Sequence, residues 1–202
     1  MESKEQHLMR QSLILIMFFL FLSGCANKTT TITTIYNDWK PRLAAKKTWQ
    51  VHGKLAFISP QERQSANLNW QQRENSNDLV LTSFIGTRIL LLKQTQKGAE
   101  LEFNGEQYSD NNAAELLRRL TGLSLPVNNA DNWLKGTISD ESLYVDNLNR
   151  AKHVLWFDSN GIKWQIDYAS YIQKEGYWLP TKLTLKNQKI KIKIQLYDWQ
   201  LN

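Results

Sequence analysis

The sequence predicts a mainly β fold of the α+β class, an antiparallel sheet of about ten or eleven strands that curls on itself, with two or three helices over one face or opening. Three observations lead there. From Thr48 onward apolar residues recur at every second position, as in Trp49, Val51, Leu55 and Phe57 against Gln50, His52 and Lys54. That is the period of a strand with one buried face. The segments between such runs are short and carry turn pairs, Asn104-Gly105 and Asn160-Gly161 among them, which suits antiparallel neighbours. Helical spacing is confined to one stretch before the first strand and another in the middle of the chain.

Taken in order, Asp38 offers an N-cap, Pro41 fits a first turn and Trp39 with Leu43 makes an i, i+4 apolar pair, so a helix is expected from Asp38 to about Lys47. Alternating strands follow at Trp49 to Phe57 and through Ala66, Leu68 and Trp70, then at Leu79 to Ser83 and Arg88 to Gln94. Leu101 to Phe103 and Gln107 to Tyr108 flank Asn104-Gly105, a type I′ hairpin signal. Ser109 or Asp110 is the expected cap of a helix whose apolar stripe is Ala113, Leu116, Leu117 and Leu120 and whose end is Gly122. Beyond Pro126, Asn129 to Lys135 reads as a second short helix closed by Gly136. Strands resume at Leu143 to Val145, His153 to Asp158, Ile162 to Tyr168, Tyr177 to Leu185 and Lys189 to Trp199. No internal repeat or second linker interrupts this order, so residues 38–202 are expected to form a single domain.

The front of the chain follows other rules. Leu13 to Leu22 is an unbroken apolar run, about half of the roughly 20 residues a helix needs to cross a bilayer. It follows Lys4 and Arg10 and precedes Ser23 and Gly24, the layout of an export signal, so residues 1–24 are expected to be removed. Leu22-Ser23-Gly24-Cys25 resembles the lipobox of bacterial lipoproteins, in which the cysteine sulfur receives a diacylglyceryl group and the amine freed by cleavage is acylated. The alternative is an ordinary secretory signal with a chance cysteine. Under the sorting rule of such lipoproteins, Ala26 after Cys25 implies the outer membrane, with the lipid-anchored domain on its periplasmic face. Three acyl chains at about 0.8 kcal/mol per buried CH₂ make release into water negligible. Residues 25–37, including the threonine-rich Asn27 to Ile35, then read as lipidated cysteine and flexible tether.

The formal net charge is +6, and removing Glu2, Lys4, Glu5 and Arg10 with the signal leaves it unchanged. In an exported chain that charge faces lipid headgroups and envelope proteins, so no nucleic-acid partner is expected. It would also steer a donor protein with an acidic mouth. Cys25 is the single cysteine, so no internal disulfide supports the fold. There is no H-E-x-x-H, no G-x-S-x-G, no glycine-rich phosphate loop and no paired-cysteine spacing. His52 and His153 sit in alternating strands, and Asp140 with Glu141 in a turn-like stretch. No catalytic residue, metal or cofactor is therefore expected, and the chain does not read as an enzyme.

Three patterns bear on binding. In Lys189 to Leu196 three lysines alternate with Ile190, Ile192 and Ile194, either guarding a strand or also meeting acidic headgroups or an acidic partner. Eight tryptophans, several on the apolar phase of their strands, fill a core or line a wide cavity. Ser83-Phe84-Ile85-Gly86 places two large apolar residues where a turn should be polar. Either they are exposed for contact with a lipid chain or membrane, or a longer strand buries both.

With the lipobox, the segments WQVHGKLAFIS (Trp49 to Ser59), TSFIGTRILLL (Thr82 to Leu92), LTGLSLPVNNADNWLKG (Leu120 to Gly136) and LPTKLTLKNQKIKIKIQLYDW (Leu179 to Trp199) together resemble, in order and spacing, the LolB family of outer-membrane lipoprotein receptors. The resemblance implies a half-open antiparallel β-barrel with helices covering the opening and an apolar cavity for acyl chains. It implies a monomer that receives triacylated lipoprotein cargo from the periplasmic carrier LolA and inserts it among outer-membrane phospholipids without nucleotide hydrolysis. Candidate cavity walls are Trp49, Val51, Leu55, Phe57, Leu68, Trp70, Leu79, Leu81, Trp156, Trp164, Ile166, Ile190, Ile192 and Ile194. In the family a protruding loop carries an exposed aliphatic residue in a pattern like proline-leucine-glycine. Ile85 before Gly86 matches that residue, with Phe84 in the place of the proline. A packed-core lipoprotein serving as a structural or assembly partner is the alternative, and an envelope hydrolase a more distant one.

Overall fold

Alternation from Thr48 onward does build one open antiparallel sheet of 11 strands, seen in a computed structural model that describes residues 34–158 and 160–202. The expected export signal, Cys25 and the tether up to residue 33 lie outside the described residues. The strands are β1 Trp49–Ile58, β2 Arg63–Arg73, β3 Ser76–Thr82, β4 Arg88–Thr95, β5 Gly98–Phe103, β6 Glu106–Asp110, β7 Tyr144–Val145, β8 Ala151–Phe157, β9 Lys163–Lys174, β10 Tyr177–Lys186 and β11 Lys191–Leu201. Helix α1 is Trp39–Ala45, α2 is Ala113–Thr121 and α3 is Ala130–Lys135, the last entered through a 3₁₀ turn at Val127–Asn129.

The spatial order is β6-β5-β4-β3-β2-β1-β11-β10-β9-β8-β7, so the first and last strands pair in the middle and β6 and β7 are the two edges. These edges do not pair. The chain between them carries α2 and α3, so the helical insertion is covalently placed where a closed barrel would have its missing ladder. All ten strand pairings are antiparallel and nearly all join sequence neighbours, as the short turns require. At the Asn104-Gly105 turn both residues have positive φ, 55° and 81°, as type I′ demands.

The register defines two ends. At one, Ile58, Arg63, Thr82, Arg88, Phe103, Phe157, Lys163, Lys186 and Lys191 begin or finish their strands, with the turn from Ser83 to Thr87 projecting beyond. At the other lie Trp49, Arg73, Tyr177 and Leu201. One face of the sheet is apolar along β1 to β5 and β8 to β11 and carries the core, into which α1, α2 and α3 contribute Leu43, Leu116, Leu117 and Trp133.

Local chemistry moved some boundaries. Asp38 makes no cap bond to the start of α1; its carboxylate instead pairs with Arg42 at 2.7 Å. The cap of α2 is Asn112, not Ser109 or Asp110, because β6 runs through Asp110 and the Asn112 side chain then accepts from Ala114 and Glu115 backbone N–H groups at 3.1 and 3.2 Å. Lys189 and Ile190 fall outside β11, since the Asn187 side chain accepts from both of their N–H groups and holds them in the preceding turn.

Candidate lipid-binding site

Of the fourteen residues expected to wall a cavity, twelve are buried on the same face of the sheet. Trp156 and Ile190 are half-buried. The alternation that selected them thus puts these twelve on one buried face. In this conformation the hollow they bound is occupied. Trp133 of α3 lies edge-on against Trp70, ring centroids 5.5 Å apart, and Trp49 packs on Trp199 across β1 and β11 at 5.7 Å.

Polar bonds, not packing alone, seat the helical insertion. Trp49 Nε1 donates to the Asp131 carboxylate at 2.7 Å, Asn77 Nδ2 to the Val127 carbonyl at 3.3 Å and the Tyr168 hydroxyl to the Trp133 carbonyl at 2.8 Å. Tyr168 and Tyr171 are both held well above the ordinary phenol pKa by burial, so each stays a neutral donor. Lys135, at the end of α3, is fully buried. Burial pushes its pKa down, opposed by the hydrogen bond and charge of Asp131. These groups escaped the sequence reading because a lysine in a helix's last turn ordinarily points to water, and nothing in the sequence pairs it with α1.

At the seam between insertion and edge strand, Asn112 Nδ2 donates to the Asn160 side-chain oxygen at 3.1 Å, joining the cap of α2 to the β8–β9 turn. Beside that seam lies a cleft of about 320 Å³ lined by Asn129, Asn132, Thr137, Ile138, Ser139 and Trp156. It is mostly polar and at the small end of the usual range for ligand pockets, about 300–1,000 Å³.

The β3–β4 turn settles the alternative left open for Phe84 and Ile85. Both are exposed, Phe84 at 92% and Ile85 at 72%. The Gly86 N–H donates to the Ser83 carbonyl at 3.0 Å, and Ser83 N–H to the Thr87 carbonyl at 2.8 Å. Gly86 has φ 88°, so a left-handed residue closes a tight turn whose two central side chains are forced outward. Ser83 Oγ and the amide of Asn67 brace the base, at 3.1 Å from Thr87 N and 2.9 Å from Ser83 O.

The histidines do gain acidic neighbours, which only cross-strand pairing could supply. His52 Nδ1 is 3.2 Å from Asp198 and His153 Nδ1 is 2.7 Å from Asp167. Both pairs stand on the outer, solvent-facing side of the sheet, away from any cleft or nucleophile among the described residues. No group of metal-ligating side chains occurs among the described residues.

Comparison with known proteins adds to this geometry. The family model for outer membrane lipoprotein LolB matches residues 47–199. An outer-membrane lipoprotein LolB from Pseudoalteromonas translucida is 71% identical over all 202 residues, covering 100% of each chain. One from Shewanella oneidensis is 34% identical over 94% of this chain and 88% of its own. Among solved structures, a LolA superfamily protein from Nitrosomonas europaea superposes with TM-score 0.53 at 10% identity, covering 78% of this chain and 87% of its own. A DUF1329 family protein from Desulfovibrio piger gives TM-score 0.55 at 6% identity, over 81% and 89%. These two share the fold.

Proposed function

The chain belongs to the LolB family of outer-membrane lipoproteins, and we propose that it receives lipoproteins from the periplasmic carrier LolA, shelters their acyl chains against its concave face and inserts them into the inner leaflet of the outer membrane. It is an outer-membrane lipoprotein of the lipoprotein localisation system, in a family that is not one of enzymes. Within the proposal, residues 1–24 are cleaved and Cys25 carries the anchor. The observation that carries this reading is an apolar concave face closed at its gap by helices and not by strand pairing, beside a turn that exposes Phe84 and Ile85.

A triacylated anchor exposed to water costs on the order of tens of kcal/mol, at about 0.8 kcal/mol per CH₂. Cargo therefore moves between apolar shelters, each a better host than the last, with the bilayer the final one. Three acyl chains exceed a cleft of about 320 Å³, so loading requires α3 and Trp133 to leave the concave face. The polar bonds of the insertion suit that movement, because a neutral one can be exchanged for water at a net cost of about 1 kcal/mol and one to a charged group at about 1.5–3 kcal/mol. Phe84 and Ile85 then give the rim an apolar contact with the bilayer.

The filled interior is also what a packed-core assembly partner would have. Transfer of a fluorescent triacylated lipopeptide from loaded LolA to this chain, and onward to liposomes, separates the two. Uptake followed by delivery is expected; a chain that folds but takes up no lipopeptide would leave the packed-core reading in its place.

A further inference from the structure

Phe84 and Ile85 project from a rim whose strand ends are cationic. Arg63, Arg88, Lys163 and Lys191 are the first residues of β2, β4, β9 and β11, and Lys186 is the last of β10. Ile58 pairs with both Arg63 and Lys191, and Lys191 pairs with Lys186, so three cations stand in one row across four adjacent strands. Exposed Lys189 adds another in the β10–β11 turn.

The rim also holds four carboxylates, fewer than its cations. Glu102 neutralises Arg88 at 2.6 Å, while Glu62 accepts from Gln64 Nε2 at 2.7 Å, Glu106 from the Tyr108 hydroxyl, and Asp158 from Asn160 N, Ile162 N and Trp164 Nε1. Arg63, Lys189 and Lys191 have no ion-pair partner among the described residues, and Lys186 only Asp167 at 4.0 Å. Lys163 lies over the ring of Phe157, 6.0 Å from its centroid, and that ring is 61% exposed. The far end of the sheet carries fewer strand-end cations and engages both: its strands start or finish at Trp49, Arg73, Ser76, Thr95, Gly98, Asp110, Ala151, Lys174, Tyr177 and Leu201, with Arg73 paired to Asp78 at 2.6 Å and Lys174 Nζ donating to the Trp199 carbonyl.

Like charges directly opposite on neighbouring strands, as at Lys186 and Lys191, destabilise a sheet unless something anionic lies across them. We propose that this cationic rim docks on anionic lipid headgroups, its lysines and Arg63 at the phosphates while Phe84, Ile85 and Phe157 enter the interface. For its orientation the inference rests on the reading of Phe84 and Ile85 as a membrane contact. A protein partner would need a complementary surface of about 800 Å² a side. A two-residue prong ringed by long, mobile cations suits a fluid surface better. Each cation near such a surface raises partitioning by about fivefold, and salt screens the effect.

The test uses the chain from residue 25 onward with Cys25→Ser, so that no acyl anchor masks the result. Flotation is measured with vesicles of phosphatidylcholine alone and of phosphatidylcholine mixed with phosphatidylglycerol. Phosphatidylglycerol is expected to raise partitioning tenfold or more, and molar salt to abolish the gain. Lys186→Gln with Lys191→Gln should cut binding to the mixed vesicles by on the order of tenfold and leave phosphatidylcholine unaffected. Arg63→Gln with Lys189→Gln repeats the test at exposed positions should the first pair unfold. Equal partitioning of the parent chain into both vesicles, or undiminished phosphatidylglycerol preference in both double variants, overturns the proposal. So does slowed handover from loaded LolA without any lipid preference, since the partner would then be an acidic protein. Phosphatidylglycerol preference that survives in Ile85→Glu, with phosphatidylcholine binding unchanged, supports the rim while refuting the prong.

Discussion

Lys135 Nζ lies 2.7 Å from the Asp131 carboxylate with none of the lysine side chain exposed, and the same ammonium reaches the carbonyls of Leu43 at 3.1 Å and Lys46 at 2.9 Å. Asp131 also accepts from Trp49 Nε1. One buried cation thus ties the end of α3 to the carbonyls at the end of α1, of which only that of Leu43 also accepts from a backbone N–H, and through Asp131 to the central strand β1.

Replacing this ammonium should be costly. Lys135→Met keeps most of the volume but leaves Asp131 without its countercharge and the Ala44 and Lys46 carbonyls without this donor, so a loss of about 3 kcal/mol is expected. Urea unfolding of the variant and the parent chain checks this. A loss below about 1 kcal/mol would mean that water replaces the ammonium freely.

The seam between Asn112 and Asn160 offers a way to lock the insertion. With Cys25→Ser in the background, Asn112→Cys and Asn160→Cys joined by a short bismaleimide should abolish lipopeptide uptake, while the same variants left unlinked take it up normally. Undiminished uptake by the linked chain would show that cargo enters elsewhere.

Ile85→Glu should leave folding and uptake intact and block delivery, because a carboxylate at the tip opposes bilayer contact. Ile85 is 72% exposed and makes no core contact, so a thermal midpoint within a degree or two of the parent is expected. The readout is the rate of lipopeptide appearance in liposomes after loading. A normal rate removes the tip from the mechanism.

Acid should loosen the clamp on α1. Burial alone would raise the Asp146 pKa, but the Arg150 guanidinium and the N–H groups of Arg150 and Leu148 outweigh it and hold the carboxyl below its ordinary 3.8. The Leu148 carbonyl in that loop accepts from Trp39 Nε1 at 3.3 Å, linking it to α1. A folded pKa below the unfolded one means that the contribution is complete above about 3.8 and fades as pH falls through the folded value. The stability gap between the parent and Asp146→Asn should therefore narrow from pH 7 to about pH 3 in urea titrations.

Much of this architecture was legible because burial leaves a period. Trp49, Val51, Leu55 and Phe57 face inward, as their spacing predicted, and Asn104-Gly105 forms the turn its pair encodes. Helix ends were less readable, since Ser109, Asp110 and Asn112 are all competent caps and only the length of β6 chooses among them. Exposure at Phe84 and Ile85 could be posed but not decided, because two apolar residues before a glycine also fit a longer strand. The Lys135 hub was invisible: its partners are some 90 residues away in sequence, and a lone lysine carries no pattern. The same holds for His52 with Asp198 and His153 with Asp167, which meet only through register.

The place where Tyr36 is fastened to the sheet limits how the domain is leashed. Tyr36 donates its N–H to the carbonyl of Gly176, in the β9–β10 turn at the far end from Phe84 and Ile85. Between the two ends runs β10, 10 residues or about 33 Å long. The stretch from Cys25 to Tyr36 spans at most about 40 Å when fully drawn out. If Cys25 is the moored residue, the leash has almost no slack when the greasy tip touches the same leaflet, so deleting a few threonines would lift the tip clear of it.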